Sequence, residues 1–161
     1  TSAEWYYLLG SFGVQLWGRE AVLTALPERI AFGDYCAQGF PFYAGNMTYE
    51  TEFTADKAGE YILAAEKFRA PLLKIEVDGR DAGRIAFAPY QLSLGFLDKG
   101  VHRISLTSYG NRANAFGPIH CCDEQLLYMD PSAWRTSGAG YGYEYQLKRM
   151  GILAAPRIFC R

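Results

Sequence analysis

Hydrophobic positions recur at every second residue through the middle of this chain. Tyr49, Thr51 and Phe53 share one face of a segment whose other face carries Glu50 and Glu52. Leu73, Ile75 and Val77 alternate with Lys74, Glu76 and Asp78, and His102, Ile104 and Leu106 fall on one side of residues 101–109. A period of two places successive side chains on opposite faces, so each segment predicts a strand with one dry and one wet side. Between them stand turn signals at Ala58-Gly59, Pro71, Asp78-Gly79, Pro89-Tyr90 and Asp98-Lys99-Gly100. Asp-Gly is the strongest of these, because a tight primed turn needs positive backbone angles that Gly adopts freely. The pattern predicts strands over residues 48–54, 61–68, 73–77, 84–87, 92–94 and 101–109.

The flanks are less regular. Residues 5–17 are rich in aromatic and branched side chains, and Gly10 and Gly13 argue against a helix, so this stretch reads as a bent strand or a pair of short ones. Residues 20–31 can form one or two helical turns, broken at Pro27. Gly33, Gly39, Pro41 and Gly45 then give a loop-rich approach to the main sheet. Beyond residue 121 the chain is irregular, with a short strand expected at 125–129 and a Gly/Ser-rich loop at 137–142. Alternation resumes at 143–147, and 152–158 supplies a closing strand. About eight to ten strands with no helix of ordinary length predict an all-β fold: a two-layer antiparallel β-sandwich of the jelly-roll kind, with four or five strands per sheet. The expected organisation is one domain over 1–161, in which 1–44 is a lead-in packed on the sandwich formed by 45–161.

Composition narrows the function. A chain of 161 residues can bury roughly 70% of the surface exposed by its unfolded form, enough for a two-layer core without staples. Sixteen basic and 17 acidic residues are interspersed, so no sustained positive field exists to hold a phosphate backbone, and nucleic acid is not an expected partner. The uncharged apolar runs are far shorter than a bilayer requires, so no membrane partner is expected either. The opening at Thr1, without Met or a charged leader, reads as a piece of a longer polypeptide or a mature product. Cys36, Cys121, Cys122 and Cys160 are too few and too irregularly spaced for a disulfide framework, although Cys121 or Cys122 can reach Cys36 or Cys160 in space.

Three segments carry a family resemblance: Gln-Gly-Phe-Pro-Phe-Tyr-Ala-Gly-Asn-Met-Thr-Tyr-Glu-Thr-Glu-Phe at 38–53, Leu-Lys-Ile-Glu-Val-Asp-Gly-Arg-Asp-Ala-Gly at 73–83, and Lys-Gly-Val-His-Arg-Ile-Ser-Leu-Thr-Ser-Tyr-Gly-Asn-Arg at 99–112, which runs on to Asn114, Phe116-Gly117-Pro118 and His120. In order and spacing they resemble the galactose-binding-like, sugar-binding jelly-roll domain that accompanies catalytic domains in glycoside hydrolases of the β-galactosidase and rhamnosidase kind. The resemblance implies a non-catalytic accessory domain whose partners are carbohydrate, the catalytic domain of the same polypeptide, or both. The run Phe-Gly-Pro-Ile-His-Cys-Cys-Asp at 116–123 departs from that pattern.

The chemistry-bearing residues fit that picture. A pyranose offers an apolar C–H face and a rim of hydroxyls, so its site wants an aromatic plate flanked by planar polar groups. Loop aromatics Tyr35, Tyr43, Tyr90, Trp134 and Tyr141 are candidate plates; Asn111, Arg112, Asn114 and His120 are candidate rims. The leading set is Trp134, Tyr141, Arg112, Asn114, His120 and Tyr90. Glycosidic catalysis needs two carboxylates roughly 5 to 9 Å apart across a bond; Glu50, Glu52, Glu66, Glu76 and Asp78 read instead as the solvated face of a sheet. No nucleophile elbow or phosphate loop is present. His120, Cys121, Cys122 and Asp123 are consecutive and lack the two-to-four-residue spacing of a zinc site, which leaves buried, inert thiols as the reading. Structural calcium at Asn46, Asp56 and Asp123 has no oxygen-rich loop to support it, so no cofactor is expected. Two rival readings remain: a purely structural module exposing an apolar patch around residues 5–17, and a glycosidase active on its own.

Overall fold

Alternation is strongest where the structure, a computed structural model describing residues 7–123 and 131–161, places its longest strands. Strand β3 (Met47–Ala55) pairs along its whole length with β9 (Gly100–Ser108), from Met47 opposite Ser108 to Ala55 opposite Gly100. β9 also pairs with β6 (Leu73–Val77), which forms a hairpin with β7 (Arg80–Ile85), giving an antiparallel sheet in the order β3-β9-β6-β7. A second antiparallel sheet has the order β11-β4-β8, from β4 (Gly59–Ala64), β8 (Gln91–Leu97) and β11 (Arg157–Cys160). The fold is all-β.

The dry faces meet in one core. Tyr49, Leu73, Ile75, Val77, Ile85, Ile104 and Leu106 come from the four-stranded sheet; Tyr61, Leu63, Leu94 and Leu97 come from the three-stranded one, with Ile152 closing the side. In the four-stranded sheet these follow the period-two rule of their strands, and Glu50, Glu52 and Arg103 face water as that rule requires; in β8 a bulge in the pairing with β4 shifts the phase, so Leu94 and Leu97, three apart, both turn inward. The Asp78-Gly79 turn has φ of 49° and 76°, the two positive angles of a type I′ hairpin.

Four expectations give way. Residues 20–24 form a strand, β2 (Glu20–Thr24), hairpinned to β1 (Gly13–Trp17) in register Trp17 opposite Glu20; no helical turn forms there, because inter-strand pairing satisfies the backbone locally and β-branched Val22 and Thr24 suit it. Residues 143–147 join no ladder among the described residues, and Gln146 N–H donates instead to the Ile119 carbonyl (2.7 Å). The closing strand is split into β10 (Gly151–Ile152), paired with β5 (Phe68–Arg69), and β11. The described residues hold eleven strands rather than eight to ten, and the smaller main sheet has three. The strand expected at 125–129 lies outside the described residues, as does Trp5.

His102 shows how the hairpin end is fastened. Its Nδ1 donates to the Asp78 carboxylate (2.7 Å) and its Nε2 donates to the Asp98 carbonyl (2.8 Å), while Asp78 also accepts from Arg103 N–H (2.8 Å). With both ring nitrogens facing acceptors, imidazolium is favoured: the Asp78 hydrogen bond, then the Asp98 carbonyl, raise the His102 pKa, and His102 in turn lowers that of Asp78. The His102 contribution to stability is complete below its ordinary pKa of about 6.5 and is lost as pH rises through the raised folded value. The Asp78 contribution holds above its ordinary value and is lost as pH falls through the lowered one. Urea midpoints are therefore expected to decline from pH 6 to pH 8, and His102→Gln is expected to flatten that decline; an unchanged slope in the variant refutes the assignment.

Candidate functional site

Past β9 the chain leaves the sheets at Gly110, whose N–H donates to Asn46 Oδ1 (3.1 Å), and makes a single helical turn, α1 (Ala113–Phe116). It then runs alongside residues 138–146. Cys122 N–H donates to the Gly140 carbonyl (2.8 Å), Gly142 N–H to the His120 carbonyl (2.8 Å), and Cys121 bridges Tyr141. This zipper brings His120 against two rings, with centroids 5.7 Å from Tyr141 and 4.8 Å from Tyr145. The His120 Nδ1 donates to the Gly142 carbonyl (3.0 Å), which fixes the ring and leaves Nε2 without a partner among the described residues.

A cleft of about 320 Å³ opens beside this cluster. Its walls include Phe116, His120, Trp134, Tyr141 and Tyr145, with Tyr7 across from them, 5.0 Å from the Phe116 ring. Trp134, at the end of a 3-10 turn (Pro131–Trp134), is 39% exposed, so its ring is available as a plate. Arg135 and Thr136 supply polar groups at the rim, and no carboxylate lines the cleft among the described residues. Such a site can stack an apolar ring face and donate hydrogen bonds at its edge.

Of the leading sequence-predicted residues, His120, Trp134 and Tyr141 converge here. Tyr90 lines a separate groove, in which its ring meets Phe68 edge-on at 5.5 Å. Arg112 caps α1 from an exposed position and lines neither cavity. Asn114 is 3% exposed and faces inward, its amide bracketing Lys148: Nδ2 donates to the Lys148 carbonyl (2.7 Å) and Oδ1 accepts from Lys148 N–H (2.9 Å). Neither Arg112 nor Asn114 is set at the cleft. Tyr35 is likewise core, 3% exposed, with its hydroxyl pKa driven up by burial; Tyr43 remains 40% exposed.

Four of the five candidate acids are spoken for by cations, Glu50 by Arg103, Glu66 by Arg157, Glu76 by Lys74 and Asp78 by His102, and Glu52 stands on the exposed face of β3. All four cysteines are free thiols. Cys36 sits behind Asn114, and burial first, then the Asp34 charge, pushes its pKa up to about 12, so it stays protonated. Cys122 is exposed, against the expectation of buried thiols, because the zipper turns its side chain outward. No three His, Cys, Asp or Glu side chains converge as a metal site among the described residues. No helix among them is long and apolar enough to cross a membrane.

Two further features stand apart from the cleft. One is an apolar flank, in which Leu8, Leu9 (87% exposed) and Trp17 (59%) belong to the stretch where the sequence offers an apolar patch, while Val22, Leu23 and Leu26 extend it through and past β2. The other, with little signal in the sequence, is the groove beside Tyr90, about 740 Å³, whose lining includes Arg69, Lys148 and Arg149. The adjacent pair Lys148-Arg149 was its one trace, lost in a chain whose charges are interspersed.

No protein-family model matches the chain, and no curated protein matches it. Among solved structures, a rhamnosidase from Novosphingobium sp. PP1Y superposes with a TM-score of 0.54 at 19% identity, covering 98% of this chain and 16% of that one. Two structures of a GH2 β-galacturonidase from Eisenbergiella tayi superpose more loosely. The one bound to galacturonate has a TM-score of 0.40 at 22% identity, covering 66% of this chain and 18% of that one. The one bound to glycerol has a TM-score of 0.41 at 20% identity, covering 81% and 20%. The rhamnosidase likeness is one of fold, and this chain spans about a sixth of that protein's length.

Proposed function

We propose that this chain is a non-catalytic accessory domain of a larger glycoside hydrolase, and that its loop cleft takes a saccharide ring. The observation that carries the reading is the convergence of His120, Trp134 and Tyr141, drawn from separate loops, on one aromatic-walled cleft of about 320 Å³ with no carboxylate on its walls among the described residues. That volume suits a monosaccharide unit, and the chemistry suits stacking rather than hydrolysis. A fold shared over nearly the whole chain with a sixth of a rhamnosidase supports the setting in a larger hydrolase.

The test is neutral-glycan binding by the 161-residue chain, measured by array and calorimetry. Trp134→Ala combined with Tyr141→Ala is expected to abolish it. Each stacked ring is worth roughly 1–2 kcal/mol, so losing both weakens binding by about 100-fold, beyond detection for a millimolar or weaker site. Undiminished binding by the double variant refutes the cleft.

A second reading is favoured by the apolar flank. Leu8, Leu9, Trp17, Val22, Leu23 and Leu26 are all exposed apolar side chains on and just beside one hairpin, the kind of surface that another domain covers. In this reading the flank packs on the catalytic domain of the same polypeptide and the domain is a buttress. It predicts that the isolated chain self-associates, that Trp17→Ser with Leu23→Ser suppresses this, and that no glycan binds.

A further inference from the structure

The groove beside Tyr90 has a different chemistry from the aromatic cleft. Arg69, Lys148 and Arg149 line it, against a single carboxylate, Glu66. Glu66 is already paired with Arg157, which stands outside the groove. None of the three lining cations has an ion-pair partner among the described residues. Three uncompensated cations in one concavity are an electrostatic cost to the free protein and a focused positive potential toward anything that enters.

These cations are held on fixed backbone. Arg69 lies on β5 directly opposite Gly151 of β10, so the ladder sets its position. Lys148 and Arg149 lie on an extended strap with no ladder of its own, which a set of polar clamps replaces. Asn114 brackets both backbone groups of Lys148 (2.7 and 2.9 Å), and Asp34 Oδ1 accepts from Met150 N–H (3.0 Å). Asn111 Nδ2 reaches Met150 Sδ (3.3 Å), and Tyr35 N–H donates to the Met150 carbonyl (3.2 Å). A buried amide is thus committed to aligning two exposed cations along a groove wall. The same groove is lined by the ring of Tyr90, partly buried against the core and held at a φ of 56°, in the left-handed region that non-glycine residues rarely adopt. Its backbone is tied at both ends, Tyr90 N–H to the Phe87 carbonyl (3.0 Å) and Ala65 N–H to the Tyr90 carbonyl (3.0 Å). Backbone held away from its preferred region beside a cavity is a mark of a positioned side chain.

From this arrangement we infer that the groove formed by Arg69, Tyr90, Lys148 and Arg149 binds an anionic saccharide, its carboxylate or sulfate ester held by the arginines and its ring laid on Tyr90. Arginine presents a planar fork matched to a carboxylate or sulfate. A volume of about 740 Å³ admits more than one sugar unit. The saccharide part of the inference rests on the proposed carbohydrate role of the chain; the charge part rests on the groove alone.

The experiment compares three ligands on the 161-residue chain by calorimetry: a uronic-acid oligosaccharide, the same oligosaccharide with its carboxyl groups reduced to alcohols, and a sulfated neutral oligosaccharide. Charge-assisted hydrogen bonds of this kind predict that one anionic ligand binds at least tenfold more tightly than the reduced one. The wild-type preference is expected to weaken as salt is raised, a readout that needs no variant. Arg69→Gln and Arg149→Gln, each checked for an unchanged melting curve, are each expected to cut anionic binding about tenfold and leave the reduced ligand unaffected. Trp134→Ala is expected to leave the anionic preference intact. Equal binding of all three ligands, or anionic binding untouched by both arginine variants, overturns the groove. If neutral glycan still binds and is lost in the Trp134 and Tyr141 double variant, the accessory-domain reading stands while the groove falls. Binding of the uronate or sulfate alone, sensitive to the arginines, upholds the groove and rejects the aromatic cleft. If none of the ligands binds, both fall.

Discussion

Gly151→Ala is expected to lower the stability of the chain by about 3 kcal/mol, the sum of two independent costs. Gly151 has a φ of 96°, where an L side chain is strained by about 1–2 kcal/mol. An added Cβ would stand 2.5 Å from the Tyr49 hydroxyl oxygen and 2.7 Å from Tyr35 Cδ1, inside contact distance of two buried rings. Overpacking of that kind costs roughly 1–3 kcal/mol because a close-packed interior has nowhere to move two aromatic side chains. A chain of this size should then melt about 6–12 °C lower. Thermal and urea unfolding monitored by tryptophan fluorescence measure it, and a loss below about 1 kcal/mol would mean that β10 does not pass this close to Tyr35 and Tyr49. Gly10→Ala, on an exposed segment with ordinary φ, is the control, since the ring its Cβ meets, Phe12, can swing aside.

Gly151 also shows where sequence reasoning loses its grip. The central strands were legible because each has one wet and one dry face, so Leu73, Ile75, Val77, Ile104 and Leu106 declare themselves by alternation, and Asp78-Gly79 declares its turn. β10 is two residues long and fully buried, so it has no period to read; its existence is decided by β5, some eighty residues away, and by the space left between Tyr35 and Tyr49. The β1–β2 hairpin failed for the opposite reason. Its burial pattern is exposed almost throughout β2, so no face is marked, and the residues after Glu20 are as compatible with a helix as with a strand. Residues 143–147 alternate as a strand does, yet no strand edge among the described residues pairs with them, and they remain a strap.

The candidate site divides along the same line. Trp134, Tyr141 and His120, all read as loop residues, fall on the walls of one cleft, because the loops that carry them leave the sheets at the same end. Asn114 was misread because residue type tells that an amide will hydrogen-bond and says nothing about whether the partner is a ligand or the chain itself. Arg69 lies some eighty residues from the adjacent pair Lys148-Arg149, and the three become a charge cluster only when β5 and the strap come to line one groove.

Asn114→Ala separates the structural role from the ligand role most sharply. Its amide satisfies the N–H and the carbonyl of Lys148 and donates to Cys36 Sγ (3.3 Å), all in a part-buried setting. Removing it strands backbone groups that have no ladder to fall back on, at roughly 1–3 kcal/mol for each buried group left unpaired, so a loss of about 3 kcal/mol is expected in urea unfolding. Because the strap then lacks its central clamp, the Lys148 amide should lose hydrogen-exchange protection, and anionic-ligand affinity should fall even though Asn114 touches no ligand. Asn114→Asp retains the acceptor for Lys148 N–H but turns a carboxylate oxygen toward the Lys148 carbonyl, and should fall between the two. Had Asn114 been a rim residue, the alanine variant would weaken glycan binding with the urea midpoint and the Lys148 protection unchanged. A buried clamp moves all three together, since the groove's cations are only as well placed as the backbone that Asn114 holds.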